Sequence, residues 1–120
     1  MKIFLVEDVE SVRDQIWAFL CIIPGVELAG FAATASAALD ALRSTVPDLV
    51  VLDLGLSEGV GQDVLRELGP LMQKIRVVVF SNTVDHITTR HCMELGAIAV
   101  LDKSHQIGEL CDLVRDLKSA

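Results

Sequence analysis

The chain has no tyrosine, one tryptophan and four phenylalanines in 120 residues, so aromatics reach only 4%. That poverty argues against a small all-β barrel, whose packing leans on aromatic and β-branched side chains. Cysteine is scarce too. Cys21, Cys92 and Cys111 are odd in number and show no CxxC spacing, which argues against a disulfide framework or a zinc site. They read as buried free thiols of a reducing compartment. Ten basic residues face 17 acids, and a net charge of −7 argues against direct nucleic-acid binding, which needs a basic face. No long apolar run is present either. The best candidate, Trp17 to Leu39, is interrupted by Pro24, Gly25, Glu27 and Gly30, whereas a spanning helix needs about 20 mostly apolar residues. Met1-Lys2 is followed by only four apolar residues before Glu7-Asp8, too short for a signal peptide. We expect a soluble, cytoplasmic protein without a membrane partner. No linker or low-complexity stretch divides it, so residues 1–120 are expected to form one domain. At 52% hydrophobic residues it has enough apolar side chains for a substantial core.

What is present is an alternation. Ile3-Phe4-Leu5-Val6 is a short continuous apolar run, as a strand buried on both faces should be. Val12, Ile16, Phe19, Leu20 and Ile23 then form a helical stripe that ends at Pro24-Gly25. A second strand is expected over Val26–Ala32, and a second helix carries Ala35, Ala38, Leu39 and Leu42 behind Thr34 as N-cap. Leu49–Leu52 is a third strand, followed by a helix with Val64, Leu65, Leu68 and Leu71 that ends near Gly69-Pro70. Val77–Phe80 is the fourth strand. A weakly amphipathic fourth helix, about Val84 to Leu95, stops at Gly96. Ile98–Leu101 is the fifth strand, and Ile107, Leu110, Cys111, Val114 and Leu117 mark the fifth helix. Five strands alternating with five helices imply a doubly wound α/β fold, a parallel sheet with helices on both faces. Ligands of such sheets sit at the carboxyl ends of the strands.

Those ends carry polar groups. Strand one ends in Glu7-Asp8, strand three in Asp53, strand four in Ser81, and strand five in Asp102-Lys103. Any one acid after a strand reads most simply as a turn former or a helix cap, and Asp8 alone fits a cap of helix one. Compatible polar groups at four strand ends point to chemistry instead. If strands one and three are neighbours, three carboxylates meet in one crevice, where like charges about 4 Å apart repel by roughly 4 kcal/mol at an effective dielectric near 20. A cation would relieve that repulsion, and magnesium suits oxygen ligands shared between carboxylates and a phosphate. Lys103 can pair with a carboxylate or a phosphoryl oxygen, and Ser81 can donate to the same oxygen.

In these residues the whole chain resembles the receiver domain of two-component response regulators, the CheY-like family. The resemblance implies a flavodoxin-like (βα)5 sheet with strand order 2-1-3-4-5. It implies that Asp53, in Asp48-Leu49-Val50-Val51-Leu52-Asp53, is the phosphoacceptor, with Ser81 and Lys103 as its helpers. It implies Mg2+ held by Glu7, Asp8, Asp53 and the backbone carbonyl of Gly55. The expected phosphodonor is a phosphohistidine on a sensor histidine kinase or a histidine phosphotransfer protein. The expected output is binding of a partner, or homodimerisation, through the face formed by helix 4, strand 5 and helix 5. That face carries Thr88, Thr89, Arg90, Asp102, Glu109, Asp112, Arg115 and Asp116. By the same resemblance the domain is no turnover enzyme, only an acceptor that gains and loses its own phosphoryl group.

Three positions depart from the family pattern. Val100 stands where an aromatic is usual, Ser104 follows the lysine where proline is usual, and the loop Leu54–Gly61 has three glycines and no proline, so it is expected to be mobile. Gly55 and Thr83 flank the phosphoacceptor and are expected to influence the lifetime of the acyl phosphate. Rival readings fit less well. A phosphatase or phosphotransferase with an aspartate nucleophile needs a second acid two residues on, where this chain has Gly55. A flavin or dinucleotide carrier needs a phosphate cradle after strand one, where Glu7-Asp8-Val9-Glu10 would repel phosphate. A receiver that has lost phosphorylation would have lost an acid or the lysine. His86, His91 and His105 lack ligand spacing, and Trp17 and Phe19 read as packing residues.

Overall fold

A computed structural model describes residues 1–82 and 84–119, so Thr83 lies outside the described residues. The strands are β1 (Lys2–Val6), β2 (Glu27–Ala32), β3 (Leu49–Leu52), β4 (Arg76–Ser81) and β5 (Ala99–Asp102). The helices are α1 (Glu10–Leu20), α2 (Ala35–Thr45), α3 (Gly61–Leu68), α4 (His86–Glu94) and α5 (Ile107–Ser119). The strands pair in parallel in the order β2-β1-β3-β4-β5, as expected.

Alternation within each strand sorts the apolar side chains between two cores. Ile3, Leu5, Leu49, Val51, Val78 and Phe80 pack against Ile16 and Leu20 of α1 and Leu110 and Val114 of α5. Phe4, Val6, Val50, Leu52, Val77 and Val79 pack against α2 and α3 and against Cys92 of α4. This two-sided burial is why β3 reads as an unbroken apolar run.

Helix ends follow local chemistry. The Thr34 hydroxyl caps α2 by accepting from the Ala37 N–H at 3.2 Å. Asp85 caps α4 by accepting from the Thr88 N–H at 2.7 Å, so α4 begins later than the apolar pattern suggests. At its far end the N–H groups of Gly96 and Ala97 reach back to the carbonyls of Met93 and Cys92, and Gly96 sits at φ +111°. This is the Schellman arrangement expected of glycine there. At the end of α3, the backbone continues as a 3-10 turn over Gly69–Gln73, which carries Leu71 out of the helix.

Three expectations need correction. The stripe on α1 runs to Ile23, but the helix stops at Leu20; Ile23 is buried from the turn after it. Phe19 is 51% exposed rather than packed, because α1 turns that side outward. Cys21, just past the end of α1, is exposed, while Cys92 and Cys111 are buried.

The β2 edge and the loop after β3 are each shaped by a local irregularity. Between Ile3 and Phe4 the pairing with β2 slips by a residue, a bulge that turns Leu28 and Phe31 to the same side. The Arg13 guanidinium lies 4.2 Å from the centre of the Phe31 ring. The glycine-rich loop after β3 is tied down: Gly55 bridges Val60, the Gly61 N–H donates to the Leu54 carbonyl, and the Ala35 N–H donates to that of Glu58. At Gly61 the need is for closeness. A Cβ there would lie 2.5 Å from the Asp53 carbonyl oxygen and 2.8 Å from the Leu54 Cα, both backbone atoms that cannot step aside. Gly61→Ala should therefore cost about 2 kcal/mol, read as a lower urea midpoint at unchanged slope.

Candidate functional site

The strand order makes β1 and β3 neighbours, with Val6 opposite Leu52, so Glu7 and Asp53 emerge side by side at the carboxyl edge of the sheet. Backbone bonds fix each exit. The Asp53 N–H donates to the Val6 carbonyl at 2.9 Å, and the Glu7 N–H to that of Ala32 at 3.0 Å. Ser81 pairs with Asp102, and the Lys103 N–H donates to the Ser81 carbonyl at 3.0 Å. Glu7, Asp8, Asp53, Gly55, Ser81 and Lys103, the residues singled out from the sequence, all line one open cleft of about 320 Å³.

Its centre is a three-membered charge cluster. The Lys103 Nζ stands 2.6 Å from Glu7 Oε1 and 3.0 Å from Asp53 Oδ2. Glu7, Asp53 and Ser81 are buried polar residues, at 2%, 6% and 1% exposure. Glu7 also accepts from the Val9 N–H at 3.2 Å, while Asp53 Oδ1 accepts from the Gly55 N–H at 3.4 Å. Burial pushes the Glu7 carboxyl up from its ordinary value; Lys103 and the Val9 N–H pull against that, and Asp53 adds to it. Burial also works against the Lys103 ammonium, but its two carboxylate partners outweigh it and hold the lysine above its ordinary value. Lys103 therefore stays charged.

Asp8 completes the group. It does not cap α1, whose N-cap is Val9 without a side-chain bond, so the simpler reading of that acid falls away. Carboxylate oxygens of Glu7, Asp8 and Asp53 lie within 4.8 Å of one another, a hard-oxygen donor set that fits a small divalent cation. With one ammonium among three carboxylates, the cleft keeps an excess of negative charge that such an ion would offset.

The remaining residues sort themselves by distance. His86, His91 and His105 are exposed and take no part in this acidic group. Val100 is half-buried against the α2–α3–α4 core. The loop after Lys103 manages without proline: the Ser104 N–H donates to Asp102 Oδ1 at 2.8 Å, and the Gln106 amide oxygen accepts from the Asp102 N–H at 2.7 Å. Asn82, which also lines the cleft, escaped the sequence reading. The available signal was its place, one residue beyond Ser81 at a strand end.

Comparison with known proteins agrees with this geometry. A family model described as "Response regulator receiver domain" matches residues 3–115. A protein-glutamate methylesterase/protein-glutamine glutaminase of Treponema denticola is 33% identical over 105 residues, which is 86% of this chain and 28% of that protein. The transcriptional regulatory protein LiaR of Bacillus subtilis is 24% identical over 115 residues, 96% of this chain and 54% of its own length. The chain thus spans about half, or less, of these curated relatives. Among solved structures, a LuxR-family two-component response regulator from Aurantimonas sp. SI85-9A1 superposes with a TM-score of 0.89 at 28% identity, covering 97% of this chain and 83% of that one.

The cluster makes opposite demands on two of its members. Without a divalent cation, Asp8→Asn should raise stability by about 1 kcal/mol by removing repulsion from the acid group. Lys103→Met should lower it by about 3 kcal/mol, since two buried carboxylates lose their counter-charge. Thermal melting in EDTA reads both, and a shared sign would contradict this account of the cleft.

Proposed function

Because the chain belongs to the response regulator receiver domain family of two-component systems, we propose that Asp53 accepts a phosphoryl group from a phosphohistidine. The observation that carries this reading is the buried Asp53 carboxylate held 3.0 Å from the Lys103 ammonium at the carboxyl edge of the sheet. In the transfer, a P–O bond forms to an Asp53 oxygen as the donor's P–N bond breaks, and the electron pair of that bond returns to the imidazole nitrogen. Such transfers are mostly positioning and charge stabilisation. Asp53 is positioned by a strand buried on both sides. Lys103 offers its ammonium to the phosphoryl oxygens, and Ser81 its hydroxyl. Mg2+, held by Glu7, Asp8, Asp53 and the Gly55 carbonyl, would supply the positive charge that lets an anionic carboxylate approach an anionic phosphoryl group.

The donor is a sensor histidine kinase or a histidine phosphotransfer protein, and the compartment is the cytoplasm. Among the described residues no helix is long and apolar enough to cross a membrane. The domain acts as an acceptor rather than a turnover enzyme, since the residue two beyond Asp53 is Gly55, which offers no side chain as a general acid. Mass spectrometry of the intact protein after treatment with acetyl phosphate and magnesium tests this. One phosphoryl adduct is expected, lost in Asp53→Asn and in EDTA; an adduct that survives either would overturn the reading. Protons compete with the cation for carboxylates, and Glu7 holds its proton more tightly than an ordinary glutamate. Magnesium uptake should therefore fall as pH drops through the raised Glu7 value, and Glu7→Gln should flatten that fall.

Output is assigned to the α4–β5–α5 face, through a partner or a second copy. Ile87 is 82% exposed there, and Leu101 and Leu113 floor a shallow groove rimmed by Glu109, Asp112 and Asp116. Arg90 and Arg115 rest in exposed intrahelical pairs with Glu94 and Asp112, both at 3.4 Å. Exposed pairs of this kind contribute about 0–1 kcal/mol, so re-pairing across an interface costs little. Charge reversal at Arg90 and Arg115 should weaken phosphorylation-dependent association in sedimentation; unchanged association would place the output elsewhere.

A further inference from the structure

Ser104 follows the cleft-lining Lys103, and its hydroxyl donates to the Asn82 Oδ1 at 2.8 Å. Ser104 is a fixed post. Its own N–H is held by Asp102 Oδ1 at 2.8 Å, and the Asp102 carbonyl accepts from the Gln106 N–H at 2.8 Å. Asn82 lines the cleft beside Asp53, Ser81 and Lys103.

A carboxamide has an acceptor end and a donor end in one plane, so fixing the oxygen fixes the nitrogen. In a cleft already holding three carboxylates, the acceptor end would repel an arriving anion and the donor end would attract it. The hydroxyl of Ser104 engages the acceptor end. Proline at that position would have no hydroxyl to do so.

We propose that Asn82 is a further phosphoryl-binding residue, its side-chain N–H donating to an oxygen of the group on Asp53, and that Ser104 is the positioning residue that orients it. The assignment rests on the phosphoacceptor reading of Asp53 and adds two residues to it. It also gives a reason for the polar side chains at both positions.

The test measures magnesium-dependent binding of beryllium trifluoride anion, which mimics the phosphoryl group without turnover, alongside the rate of adduct formation with phosphoramidate. Asn82→Ala should weaken the mimic and slow the adduct about tenfold, the range of a hydrogen bond to a charged group. Asn82→Asp, nearly the same shape but acceptor-only, should do worse than alanine; a purely steric role would leave it close to wild type. Ser104→Ala should cost about threefold, consistent with one neutral hydrogen bond, and Ser104→Thr should restore the wild-type values. Melting in EDTA should be unchanged in Asn82→Ala, Ser104→Ala and Ser104→Thr, and lowered in Asn82→Asp, which adds a carboxylate to the acid group. If the wild type forms the adduct while Asn82→Ala matches it, or Asn82→Asp equals or exceeds alanine, the Asn82 assignment is overturned alone. Failure of Ser104→Thr to restore what Ser104→Ala loses overturns the role of Ser104. A wild type that takes neither the phosphoryl group nor the mimic overturns the phosphoacceptor reading, and this assignment with it.

Discussion

The contact of one ammonium with two buried carboxylates, Lys103 with Glu7 and Asp53, is the constraint on which the carboxyl edge of the sheet depends. It joins the ends of three strands distant in sequence, and it does so where solvent gives little help. Removing water from these charges is expensive, and the attraction between them repays the cost only while geometry is kept. The parallel sheet keeps that geometry. Each of the three residues leaves a strand whose last backbone bonds are made to its neighbour, so the side chains start from fixed points. The cluster is nevertheless unbalanced, with Asp8 as a third acid nearby. Such imbalance costs stability, and a divalent cation held by the three carboxylates would relieve it.

Much of this is legible in the sequence because the informative residues are local. A run such as Leu49-Val50-Val51-Leu52 can be buried on both faces only in the middle of a layered fold, and the acid after it then has one place to go. The alternation of such runs with helical stripes settles the architecture before any contact is known. The illegible features are decided by partners far along the chain or by the ends of elements. Phe19 matches the apolar period of α1, but its angular position is at the margin of the buried stripe, and period alone does not say which margin is covered. Ile23 matches the period too, yet reaches the core from a turn. The bond between Ser104 and Asn82 joins residues 22 apart, and nothing in either neighbourhood announces it. The start of α4 departs from the apolar pattern because Asp85 outcompetes the preceding apolar residue, Val84, by capping the helix.

Two cores separated by one sheet also divide the labour. Among the described residues, the α1 and α5 side and the α2, α3 and α4 side share no buried side chain, and the strands of the sheet lie between them. Ser81 and Lys103 sit where the strands end and both sides become accessible. Ser81 is separated by only a few residues from α4, the helix with the fewest buried residues of those described, only Cys92. A weakly anchored helix next to a rigid site is a natural place for a local change to become a surface change. At β5 the half-buried side chain packed against the α2–α3–α4 core is Val100, not an aromatic ring.

The slipped pairing at β2 has a further consequence. An outermost strand that shows Leu28 and Phe31 to solvent is a template on which another chain could lay a strand of its own and begin a stack. The extra residue breaks the even ladder that such stacking needs, and Arg13 covers the exposed ring with a charge. Both features favour a molecule that stays dispersed when crowded. Restoring an even ladder by deleting Ala29 would be expected to trade that dispersal for fibre-like growth, with the chemistry at the opposite end of the strands untouched until the molecules were no longer free to meet.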